Sequence, residues 1–65
     1  MFVNFMALKK GDLLRMKNGN IVKVTENIGD GIWVNGVIVE GSPDSSQIGN
    51  EELCYCEDAL EKLTA

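Results

Sequence analysis

The sequence predicts a small, mainly β domain, and three observations carry that prediction. Apolar and polar residues alternate on both sides of Asn18-Gly19-Asn20, a strong turn signal. β-Branched residues crowd positions 32–39 around Asn35-Gly36. Cys54-Tyr55-Cys56 alternates again near the C-terminus. Period-two alternation bounded by Gly and Asn is the mark of half-buried strands. The 65 residues make one domain, 1–65, with a modest core.

The first eight residues, Met1-Phe2-Val3-Asn4-Phe5-Met6-Ala7-Leu8, form an apolar arm. It has no preceding basic residues and no small-residue cleavage site, and it is far shorter than a membrane span, so we expect a cytoplasmic protein without a membrane-crossing segment. A hydrophobic content of 45% is generous for so small an interior. Phe2 and Phe5 are therefore expected to join two chains, making a homodimer.

Gly11-Asp12 opens the first hairpin. A three-residue loop, 18–20, would pair Lys17 with Ile21, Met16 with Val22, Arg15 with Lys23 and Leu14 with Val24. That register places Leu14, Met16, Val22 and Val24 on one face, whereas a two-residue loop would mix the faces. Gly29 and Gly31 break the chain before the next element. The Asn35-Gly36 pair then predicts a second hairpin, 32–34 with 37–39, placing Ile32, Val34, Val37 and Val39 on one face and Trp33 with Ile38 on the other. The rival reading is one long strand bent at Gly36.

Positions 41–50 have the composition of a surface loop. Beyond it, we expect a strand at 52–56, one helical turn at 57–59 and a short strand at 60–64. The alternative is a β-meander of two hairpins followed by a helix over 51–63, with Leu53, Cys56, Leu60 and Leu63 at helical spacing and Asn50 as its cap.

The run Leu8-Lys9-Lys10-Gly11-Asp12-Leu13-Leu14-Arg15-Met16-Lys17-Asn18-Gly19 resembles the opening of small Src-homology-3-like barrels. These include KOW-type and Tudor-like domains and stand-alone proteins of phages and bacteria. The tail Glu57-Asp58-Ala59-Leu60-Glu61-Lys62-Leu63 looks like the closing helical turn and last strand of such barrels. The resemblance covers about two thirds of the chain and implies a five-stranded barrel with one helical turn near the C-terminus. The chain departs from the family in its apolar arm and in its few aromatics. With Trp33 and Tyr55 read as isolated, it lacks the aromatic groove for proline-rich peptides and the cage for methyl-lysine.

Charge divides the chain. Residues 1–25 carry Lys9, Lys10, Arg15, Lys17 and Lys23 against Asp12, a balance of +4, and residues 26–65 carry nine carboxylates against Lys62, a balance of −8. The net charge of −4 and a pI near 4.5 argue against sequence-independent nucleic-acid binding by the whole molecule. Arg15, Lys17 and Lys23 would share one face of the first hairpin, a candidate anion site in which Arg15 and Lys23 repel across the strands. Glu51, Glu52, Glu57, Asp58 and Glu61 would form an acidic surface suited to a basic protein partner.

Two cysteines make no disulfide framework, and the absence of histidine nearly excludes a zinc site within one chain. Cys54 and Cys56 read as small core hydrophobes. No nucleophile–base pair or phosphate-cradling glycine loop is present, so we expect neither catalysis nor a cofactor.

The leading functional expectation is a protein-interaction module using Glu51, Glu52, Asp58, Trp33 and Ile38. A phage or mobile-element protein that occupies and modulates a host factor is its concrete form. The alternative is an RNA- or nucleotide-binding barrel using Arg15, Lys17 and Lys23. What covers the basic face separates them: an acidic tail folded over it disfavours nucleic acid.

Overall fold

A computed structural model describes residues 3–41 and 47–63. Five strands occur in the order expected of a mainly β chain: β1 (Leu13–Met16), β2 (Ile21–Asn27), β3 (Trp33–Glu40), β4 (Glu51–Tyr55) and β5 (Ala59–Leu63). They form one antiparallel sheet in the order β4-β3-β2-β1-β5. A 3-10 turn, Cys56–Asp58, joins β4 to β5. The expected strand–turn–strand reading of the C-terminus therefore holds, with each element one residue earlier than expected. No helix spans 51–63.

The first hairpin keeps its expected faces but changes its register. Gly19 N–H donates to Met16 O at 2.9 Å, and Met16 N–H donates to Asn20 O at 2.8 Å, so the loop is 17–19. Gly19 takes φ +94°, which a glycine adopts without penalty. Leu14 now faces Val22 and Arg15 faces Ile21. A shift of two residues along β2 preserves parity, so Leu14, Met16, Val22 and Val24 are all buried as expected. It also separates Arg15 from Lys23, which lies opposite Leu13. The expected like-charge repulsion is gone.

The second hairpin does not form. Residues 33–40 are one strand, β3, which pairs with β2 on one side and β4 on the other. Apolar residues of both parities fill 32–39, so alternation could not choose between bending and continuing. The turn forms earlier, where Asp30 Oδ1 accepts the N–H groups of Ile32 (2.8 Å) and Trp33 (3.0 Å). A straight β3 sends Val34 and Ile38 into the core and leaves Trp33 and Val37 half-buried on the outer face. The pairing of Trp33 with Ile38 is thereby corrected, as is the shared face of Ile32, Val34, Val37 and Val39. Ile32 and Val39 are exposed.

Gly36 serves close approach rather than a turn. It faces Val24 just where β2 bulges between Val24 and Glu26. A Cβ there would lie 2.3 Å from Val22 Cγ1 and 2.9 Å from the Lys23 carbonyl oxygen.

The N-terminal arm also folds inward. A 3-10 turn, Phe5–Ala7, is capped by Asn4, whose Oδ1 accepts Met6 N–H at 3.1 Å. Asn27 Nδ2 donates to both Phe5 O (2.7 Å) and Leu8 O (2.9 Å), tying this turn to the end of β2. Phe5 is 1% exposed and packs with Leu8, Leu14, Val22, Val24 and Val34 in one core. Filling that core within one chain corrects the expected dimer contact through Phe5. Phe2 lies outside the described residues, as do positions 42–46 of the expected loop.

Gly36→Ala is expected to lower stability by about 1–3 kcal/mol, because both nearest atoms belong to the neighbouring strand and one is backbone. Urea unfolding followed by Trp33 fluorescence measures this. An unchanged midpoint would show that β2 and β3 are not packed so closely.

Candidate functional site

The last strand decides what the charges do. β5 pairs with β1 so that Leu13 faces Leu63, Leu14 faces Lys62, Arg15 faces Glu61 and Met16 faces Ala59. Arg15 Nε bonds Glu61 Oε2 at 3.1 Å, Lys17 Nζ meets Asp58 Oδ1 at 2.9 Å, and Lys62 Nζ lies 3.6 Å from Asp12 Oδ2. Asp58 holds the Lys17 ammonium above its ordinary range by hydrogen bond and charge. The Asp12 carboxyl is lowered, chiefly by the backbone N–H of Lys9 and then by Lys62. The C-terminal segment thus lies along β1, the outer strand of the basic hairpin, and pairs with two of its cations. Of the expected anion-binding set, Arg15 and Lys17 are engaged, and Lys23 sits apart between Leu13 and Val37.

The outer face of β3 and β4 carries a different grouping. Trp33 faces Tyr55 across the strands, with ring centroids 4.9 Å apart at an interplanar angle of 39°. Such tilted pairs bind more tightly than their area implies. Asn35 faces Leu53 and Val37 faces Glu51. Leu53 is 52% exposed. Carboxylates ring this apolar strip. Glu26 Oε1 accepts from Asn35 Nδ2 at 3.2 Å, and Glu57 Oε2 accepts the Tyr55 hydroxyl at 3.2 Å. That last bond stabilises the protonated phenol and raises its pKa. A groove of about 500 Å³ opens beside the strip, lined by Thr25, Glu26, Asn35, Gly36, Glu51, Glu52 and Leu53.

The expected protein-binding residues are therefore only partly brought together. Trp33 and Glu51 share this face. Ile38 lies on the core side, Asp58 is held by Lys17, and Glu52 points inward opposite Gly36. Reading the residues in sequence misses Tyr55 and Leu53 as partners of Trp33. The signal was present: Glu51, Leu53 and Tyr55 share one parity, but only a continuous β3 places Trp33 beside them. Trp33 and Tyr55 pack against each other at a tilt rather than standing isolated.

Among the described residues, no group of three or more His, Cys, Asp or Glu side chains is placed to hold a metal ion. No helix among them is long and apolar enough to cross a membrane. Cys54 is 1% exposed, and its thiol donates weakly to Glu52 O at 3.9 Å. Burial first, then the charges of Glu52 and Asp58, pushes its pKa up to about 11 from an ordinary 9.0. Cys56 is half-buried against the same core. Compared with protein-family models, curated proteins and solved structures, the chain matches none.

The Cys54 thiol should resist reagents in the folded protein. A thiol-specific dye at pH 8 is expected to modify Cys56 first and Cys54 only as fast as the protein opens. The raised pKa means the folded state holds this proton between pH 9 and 11, where the unfolded chain releases it. Its contribution to stability is therefore whole below pH 9 and is lost as pH rises toward 11. Cys54→Ala should flatten that part of the alkaline stability profile. Labelling of Cys54 as rapid as in urea would contradict this placement.

Proposed function

We propose that the chain is a non-catalytic protein-interaction module that binds a basic protein partner through the outer face of β3 and β4. One observation carries this reading. Trp33, Tyr55 and Leu53 form an apolar strip edged by Glu26, Glu51 and Glu57, while Arg15 and Lys17 are held by Glu61 and Asp58. Binding energy at interfaces concentrates in such aromatic anchors, and surrounding charge steers the encounter. The rival reading as an RNA- or nucleotide-binding barrel keeps only Lys23 of its three residues free of an ion pair among those described.

The strand order and the single 3-10 turn between β4 and β5 support kinship with Src-homology-3-like barrels. A cytoplasmic phage or mobile-element protein that occupies a host factor remains the concrete form of the proposal. Its ligand surface would be acidic, which suits a host protein whose own working surface is basic.

The test is capture from native cells with mass spectrometry, using the wild-type chain and two variants. Glu51→Lys with Trp33→Ala should lose the captured protein, and Lys23→Glu should keep it. Steering is screened with a Debye length of about 8 Å at physiological ionic strength, so raising salt should slow association of the wild type. Capture of nucleic acid, or loss of the partner only in Lys23→Glu, would overturn the reading.

A further inference from the structure

Among the described residues β4 is an edge strand, paired with β3 only. In an antiparallel ladder, alternate residues turn their N–H and C=O toward the same neighbour. Cys56 N–H donates to Ile32 O at 2.9 Å, and Asn50 O accepts from Ile38 N–H at 3.0 Å. The even-numbered residues of β4 thus bond to β3. Glu51, Leu53 and Tyr55 direct their backbone groups to the free edge, and no hydrogen bond among the described residues joins those groups to another element. Beside this edge, Glu52, Leu53 and Tyr55 line a slot of about 90 Å³ together with Met16, Lys17, Asn18 and Asp58.

Open edges invite strand addition, and natural proteins guard them with charge. Here the strand's own charge has one sign. Glu51 and Glu52 lie on the strand and Glu57 follows in the turn, while Asp58 is paired with Lys17. Two such edges would repel each other, so a second copy of the chain is a poor occupant and a basic segment a good one. Glu52 adds a specific reason, because its Oε2 is buried and accepts no hydrogen bond from any of the described residues. The other edge, β5, differs: it mixes Glu61 with Lys62 and shares a groove with Val3, Ala7 and Leu8.

We propose that the β4 edge binds an extended, basic segment of a protein partner, which joins the sheet as a sixth strand. The proposal rests on the interaction-module reading and specifies its partner. Backbone groups of Glu51, Leu53 and Tyr55 hold the added strand. Its alternate side chains lie beside Leu53 and the Trp33–Tyr55 pair on the outer face. The remaining side chains meet Glu52.

An acetylated, amidated hexapeptide of alternating lysine and valine is the probe, titrated into the isotopically labelled full chain and followed by NMR. Saturable shifts centred on the amides of Glu51, Leu53 and Tyr55, with slowed hydrogen exchange at those three, are expected. N-methylation of the peptide at one alternate set of residues should weaken binding about tenfold or more, and methylation of the other set should not. The glutamate–valine peptide should be silent. Leu53→Pro removes a donor to the added strand without removing one from β3, so it should stay folded by circular dichroism and lose the same factor. Equal binding of both methylated peptides would overturn strand addition and leave the acidic face as an electrostatic surface. No binding of the lysine peptide at any concentration would overturn both readings. A dimer in sedimentation, with those amides protected before any peptide is added, would make a second copy the occupant and overturn the proposal.

Discussion

The pairing of β5 on β1 closes the core and decides where the charges of this molecule fall. It brings Glu61 to Arg15 and swings the preceding 3-10 turn so that Asp58 reaches Lys17. These ion pairs are solvent-exposed and contribute little to stability. Burial holds the seam instead: Leu14, Met16 and Ala59 all lie in the core where the two strands meet. Charge placement is therefore a consequence of packing. Once the seam is fixed, the positive half of the chain is partly neutralised, and the surplus carboxylates gather elsewhere.

That surplus gives the two sides of the sheet different chemistry. Across the β1–β5 seam, opposite charges meet and offer little to a charged ligand. Across β3–β4, no cation lies on either strand, and the carboxylates frame the half-buried rings of Trp33 and Tyr55 and the exposed Leu53. The same continuity of β3 that buries Val34 and Ile38 carries Trp33 outward to Tyr55. Gly36 makes this possible, since any side chain there would push β3 off β2.

How much of this is legible in the sequence depends on how strongly local pattern constrains each element. The first hairpin is legible in its faces because Leu14, Met16, Val22 and Val24 tolerate only one parity. Its register is not, because a slip of two residues leaves every face unchanged. The C-terminal strand–turn–strand is legible from Cys54-Tyr55-Cys56 and the following Glu57-Asp58. At 32–39 both parities are apolar, and the Asn35-Gly36 signal points to a turn that long-range pairing overrides. The arm at 1–8 reads as surplus because nothing local shows that Phe5 completes a core built by strands far along the chain. The candidate site inherits both errors: its aromatic pair joins residues 22 positions apart, and its expected dimer contact is core.

At the centre of this account, Glu61 of β5 and Asp58 of the preceding turn pair with Arg15 and Lys17 of the basic hairpin, and the unpaired carboxylates gather around the outer face of β3–β4, the proposed binding surface. The most direct measurement is fluorescence anisotropy of a labelled single-stranded RNA at low salt. It compares the wild-type chain with a double variant, Asp58→Asn with Glu61→Gln, that keeps the fold and frees Lys17 and Arg15. The account predicts no binding by the wild type and weak, salt-sensitive binding by the variant. Equal and appreciable binding by both would mean that the basic face is open in the native protein, and would contradict the account.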